Sequence, residues 1–216
     1  MNNEEKYKSI LRQYLPISAV DSIYDFIVAN NVQLKIVRQR KTKLGDYRRP
    51  LPPRQTSHRI TINGDLKPFF FLLVLLHEMA HLNTFLRYGW KSVQDHGVEW
   101  QDEYRKLMIQ YFSAGHFPPA AYPLYERYVS SLPLNAAAGR ELELLLRQCD
   151  ADGTVSPELL LQDIPLGSLF RIASSPQRLF RVDEKRRTRF LCTELVSGRK
   201  FTVSGLSPVV LETRHL

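Results

Sequence analysis

Residues 77–81 read HEMAH. Side chains four residues apart on a helix share a face one turn apart, so His77 and His81 would present two neighbouring imidazoles. Neutral imidazoles spaced in this way suit two corners of a tetrahedral Zn2+ site. Glu78 stands beside His77, too near for an ideal third ligand yet within reach of a metal-bound water. Zinc makes such a water acidic, and a carboxylate can take its proton. The chain offers His96, Glu99, Asp102 and Glu103 downstream as further ligands. A helix is predicted from about Asp95 to Phe112, which puts His96 four residues before Trp100 on the inward face. Glu99 and Glu103 fall on another face and are expected to stay in solvent. His96 is therefore the expected third ligand. His58, His116 and His215 lack a partner at ligand spacing. Tyr47, His58 and Tyr88 are the candidates for stabilising an oxyanion, with no choice among them.

The elements that must position these residues follow from hydrophobic pattern. Eight apolar residues, Phe69–Leu76, run directly into the motif and draw it inward. Burying two imidazoles and a carboxylate costs several kcal/mol unless something compensates, and a metal ion does. The apolar run is shorter than the roughly 20 residues of a membrane span and reads as a core helix. Asp65 is its expected cap, with Pro68 in the first turn and Gly89 as the stop. Upstream, helices are predicted at Tyr7–Tyr14 and at Ser18–Ala29, the second capped by Ser18. Alternation marks strands at Val32–Val37 and His58–Asn63, either of which could bind a peptide by edge addition. Downstream, Tyr122–Val129 and Arg140–Arg147 read as short helices. From about Asp163 the runs shorten and alternate, as in a small all-β unit, either a partly open barrel or a curled sheet. The predicted class is α+β: a helical body with a small sheet over 1–140 (core 18–117), a helical linker over 141–162, and a basic, β-barrel-like unit over 163–216.

Composition bounds the rest. With 44% hydrophobic and 24% charged residues in 216, the chain is globular rather than disordered. Two cysteines exclude a disulfide framework and a four-cysteine zinc site. The opening MNNEEKYKSI has no apolar run and no cleavage site, so a cytoplasmic protein without a membrane partner is expected. Net charge is +8 and uneven: nine Lys and Arg face one acid between Lys35 and Arg59, and nine face three between Arg171 and Lys200. Two basic zones suggest a polyanion such as DNA. The candidate contacts are Arg38, Arg40, Lys41, Lys43, Arg48 and Arg49 in the first zone, and Lys185, Arg186, Arg187 and Arg189 in the second. Tyr47, Phe180, Phe190 and Phe201 are candidate stacking groups, although alternation within strands favours core filling for the phenylalanines.

FFFLLVLLHEMAHL followed by DHGVEW resembles the SprT-like zinc metalloprotease domain, and RKTKLGDYR and HRITIN resemble the two strands ahead of its catalytic helix. The likeness spans about Ser18 to Phe117, and the layout is similar to that of bacterial SprT-domain proteins, relatives of the Spartan-type proteases. It implies a zincin-like fold with His77, His81 and His96 as zinc ligands and Glu78 as catalytic base. It further implies hydrolysis of peptide bonds, extending to proteins bound to DNA. The cysteine zinc ribbon that often follows this domain is missing, and the β unit stands in its place. A nucleic-acid-binding protein with a structural zinc is the alternative, and a zinc hydrolase of non-peptide substrates a third reading.

Overall fold

The computed structural model describes residues 2–40, 42–53, 55–89, 93–155, 158–173, 175–187 and 189–212. Lys41, Arg54 and His215 lie outside the described residues. Packing separates two units, residues 1–156 and 157–216.

The first unit begins with α1 (Asn3–Leu11), whose cap Asn2 accepts the Glu4 N–H, and α2 (Val20–Ala29). In place of the expected Ser18 cap, a short 3-10 turn at Ile17–Ala19 feeds α2 directly. Asn31, at φ 47°, reverses the chain, a conformation that asparagine tolerates. It delivers β1 (Val32–Val37), which is followed by β2 (Gly45–Arg48) and β3 (His58–Asn63). Their order is β1-β3-β2, with β1 parallel and β2 antiparallel to the central β3. Alternation along β3 buries Ile60 and Ile62 completely.

Helix α3 (Pro68–Tyr88) starts with Pro68 at its first position, where the missing N–H is not needed; the cap is Lys67 and not Asp65. Phe69 to Leu76 are all buried, so the helix runs through the core rather than over it. It is long and apolar enough to cross a membrane, but 72% of its most apolar window is enclosed by its own unit. Gly89, at φ 66°, ends it as expected. Then come α4 (Val98–Ser113), α5 (Tyr122–Val129) and α6 (Ala136–Gln148). The α6 stripe of Leu142 and Leu146 is buried in the same core as α3. Residues 141–148 therefore belong to the body and not to a linker, because that stripe has no other place to be buried.

The second unit is an antiparallel sheet of β4 (Leu169–Ile172), β5 (Ser175–Lys185), β6 (Arg189–Glu194), β7 (Lys200–Ser204) and β8 (Val209–Leu211), in the order β7-β6-β5-β4-β8. Phe170, Phe180, Val182, Phe190 and Cys192 share one face and pack with Leu161 and Ile164. Register shifts at Arg171/Ile172 and Val182/Glu184 bend it. Among the described residues β7 and β8 remain edges, so the unit is an open sheet rather than a closed barrel.

Candidate metal centre

His77 and His81 leave the same face of α3 with their rings 5.1 Å apart, as their spacing requires. His96 arrives differently. Helix α4 begins at Val98 with Gly97 as its cap, and His96 stands just before it in the left-handed region at φ 56°. The helix expected from Asp95 starts at Val98, so a loop and not a helix face brings His96 to the other two imidazoles. His96 Nε2 lies 3.0 Å from His77 Nε2 and 3.2 Å from His81 Nε2.

These distances fit a metal ion. Nitrogens held at about 2.0–2.1 Å around a tetrahedral Zn2+ stand roughly 3.3 Å from one another. Neutral imidazoles that aim the same ring nitrogen at one point also leave lone pairs facing one another, which a cation relieves. Burial, then the neighbouring imidazoles, lowers His77 to about 3. Burial and His96 lower His81 to about 4, with Asp95 opposing. Both are therefore kept in the neutral, ligating form at neutral pH. Among the described residues no fourth His, Cys, Asp or Glu joins the three.

Trp100 packs against the whole set, its ring 4.6 Å from His77, 4.5 Å from His96 and 5.4 Å from His81. In the sequence Trp100 marks a helix face and closes the DHGVEW motif, neither of which assigns it a role in packing the histidines. Its spacing from His96, which lets an indole in the first turn of α4 reach back under the loop, was the available signal. Glu103, expected in solvent, is buried and accepts Arg87 at 2.7 Å and Lys106 at 2.9 Å, tying the end of α3 to α4. His116 packs on Tyr111, away from the cluster.

Glu78 is 6% exposed and faces β2. A Cβ on Gly45 would fall 2.3 Å from Glu78 Oε1, so only glycine allows the strand this close. Burial, then the charge of Asp46, raises the carboxyl to about 7, against the Tyr47 main-chain hydrogen bond and the charges of Arg40 and Lys43. The strand's hydrogen-bond phase explains the Tyr47 contact. Asn63 N–H donates to the Leu44 carbonyl, so alternation directs Asp46 and Arg48 to β3 and leaves the main-chain groups of Gly45 and Tyr47 pointing outward. They border a cleft of about 430 Å³ in which His77, Glu78, His81 and His96 meet Asp46, Gln94 and Asp95. The Tyr47 ring lies parallel to that of His81 at 6.5 Å, and its hydroxyl is 2.9 Å from Nδ1 of the buried His58. Burial raises the Tyr47 phenol and lowers His58. Of the three oxyanion candidates, Tyr47 lines the cleft, and His58 and Tyr88 do not.

The basic residues divide. Arg40 donates to Asn63 Oδ1, Thr61 Oγ1 and the carbonyls of Leu44 and Thr61, so its guanidinium pins the loop ahead of β2 instead of facing outward. Lys43 and Arg48 both pair with Asp46, at 2.6 and 3.0 Å. Arg38 is exposed and Arg49 lines the cleft. Lys185, Arg186, Arg187 and Arg189 are exposed at the β5–β6 turn. Phe180 and Phe190 are buried, and Arg178 covers half-buried Phe201, so these rings fill the sheet's core rather than offering stacking faces.

No family model, no curated protein and no solved structure matches this chain, so a reading of the site stands on its own geometry.

Proposed function

We propose that the first unit is a zinc-dependent endopeptidase of the zincin-like, SprT-like kind. The observation that supports this best is three converging imidazoles, without a fourth protein ligand among the described residues, opening on a cleft walled by a buried glutamate. A structural zinc is closed by four protein ligands, whereas a catalytic one keeps a position open. His77, His81 and His96 would hold the ion. Bound zinc would supply Lewis acidity, which makes water nucleophilic near neutral pH and polarises a scissile carbonyl.

The remaining work belongs to the chain. Glu78, held near neutrality by burial, accepts the proton of the attacking water at a carboxylate oxygen and returns it to the leaving amine. Tyr47, kept protonated by burial and steadied by His58, lines the cleft as a hydroxyl donor to the developing oxyanion. The substrate strand adds to β2. Neither strand expected from alternation serves: β3 is paired on both sides, and β1 forms the far edge and does not line the cleft. Main-chain pairing of this kind reads little sequence.

The test is Glu78→Gln against wild type, both assayed for zinc content and for cleavage of unfolded casein. The variant is expected to keep about one zinc per chain and to lose roughly 10²–10⁴-fold in rate. A zinc-loaded Glu78→Gln protein as active as wild type overturns the assignment.

Nucleic-acid binding is a second reading, supported by the exposed cations at the β5–β6 turn. It is compatible with the first, since a peptidase can be held on DNA through a separate unit.

A further inference from the structure

A second cavity, of about 600 Å³, shares Gly45, His77 and Glu78 with the cleft and extends back along α3. Its character is different. The cleft is walled mainly by polar groups, whereas this cavity is walled by Leu44, Phe70, Leu73, Val74, Tyr104 and Tyr128. It is open to solvent at its rim, where Ala136 and Arg140 are exposed, and its floor is formed by the buried Phe70, Leu73, Val74 and Tyr104. It falls within the range of ligand pockets.

We infer that this cavity receives a large uncharged side chain, aromatic or long aliphatic, of the substrate residue next to the scissile bond. The inference rests on the peptidase reading of the adjoining cleft. The walls select for size and apolarity: the Tyr128 ring lies against Gly139, where an added Cβ would come within 2.7 Å of it. The rim selects against positive charge. The exposed Arg140 stands there, while Lys43 is paired with Asp46 at 2.6 Å and Glu143 with Arg147 at 2.6 Å. A basic substrate side chain would meet the exposed guanidinium of Arg140 at the rim. Specificity thus comes from one pocket, while β2 holds the main chain without regard to sequence.

Ala136 lines the cavity from the exposed first turn of α6, so Ala136→Trp fills it with little demand on folding. Full-length, zinc-loaded wild type and Ala136→Trp digest a mixture of unfolded proteins, with Glu78→Gln as the blank, and the cut sites are sequenced. In parallel, the amide resonances of Gly45 and Gly139 are followed in wild type during titration with N-acetyl-phenylalanine amide or N-acetyl-alanine amide. We expect Phe, Tyr, Leu and Met at one flanking position to be favoured over Ala by about tenfold or more, with the preference falling to near unity in Ala136→Trp. The phenylalanine amide, but not the alanine amide, shifts Gly139. Glu78-dependent cleavage with no such preference, or a preference untouched by Ala136→Trp, overturns the pocket and leaves the peptidase standing. Phenylalanine-selective shifts without any Glu78-dependent cleavage do the reverse: the cavity stands as an apolar side-chain site and the peptidase falls. No cleavage and no shifts overturn both.

Discussion

Gly45 decides how closely a strand can approach the acid proposed to do the chemistry. Alanine there would put a methyl group 2.3 Å from Glu78 Oε1 and 2.8 Å from its Cδ, so the carboxylate or the strand must move. Misplacing a reacting group by about 1 Å can cost on the order of 10²-fold, and Gly45→Ala is expected to lose about that much in kcat/KM while keeping its zinc. A variant within twofold of wild type would refute the close approach. The ionisable groups of the same site also set a pH dependence in the metal-free protein. His77 and His81 have folded values of about 3 and 4, below the ordinary 6.5, so the unfolded chain takes up their protons first and acid destabilises the fold. Glu78 acts oppositely: its folded value of about 7 exceeds 4.5, so the folded state keeps a proton that the unfolded chain releases, and stability falls as pH rises between those values. Between pH 6.5 and 4.5 the two histidines outweigh the single acid, and linkage gives a net uptake of about one proton on unfolding. Removing the opposing acid with Glu78→Gln raises this to about two, and stability then falls more steeply with acid. Urea titrations in chelator at pH 7, 6 and 5 measure both slopes, and a shallower slope in the variant contradicts the assignment.

Elements carry these residues, and one guanidinium does much to hold them. Arg40 bonds two side chains and two carbonyls across the loop before β2, including the fully buried Asn63. Arg40→Ala leaves Asn63 and Thr61 short of partners, which costs about 2–3 kcal/mol and loosens the strand that adjoins Glu78. Urea unfolding should show that loss together with reduced activity; a variant as stable as wild type would mean that the loop is held otherwise. The same residue shows where reading by composition stops. As one cation in a run, Arg40 looked like a DNA contact, because a charge count carries no information on partners 21 and 23 residues away. The strands β1 and β3 were legible residue for residue through their alternation. Alternation did not reveal β2: GDYR has no apolar period, and it is a strand because β3 pairs with it.

Across the whole molecule, ion pairs within the fold engage part of each basic zone. In the first zone Arg40, Lys43 and Arg48 are engaged within the fold, and in the second Arg171, Arg178 and Arg181 pair with Glu212, Glu194 and Asp183. Lys185, Arg186, Arg187 and Arg189 are exposed together at the β5–β6 turn, while Lys35, Arg38, Arg199 and Lys200 are exposed elsewhere. If that turn meets DNA, replacing Lys185, Arg186, Arg187 and Arg189 by Glu weakens binding and reduces the slope of log K against log salt by about three to four. Fluorescence anisotropy of a labelled duplex across a salt series measures this, and an unchanged slope removes the turn from the interface.

The amino-acid sequence by itself determined the α+β class, the course of the buried helix, and the three histidines with their glutamate. Those properties depend on local periodicity and on residue chemistry, which are present in any short window of the chain. Tertiary structure alone decided that His96 comes from a left-handed loop residue, that Trp100 packs against all three imidazoles, and that Gly45 brings an edge strand onto Glu78. It also decided which cations are spent inside the fold and that an apolar cavity adjoins the cleft. These depend on what distant segments present to one another, and neither spacing nor composition encodes that where no period connects the partners.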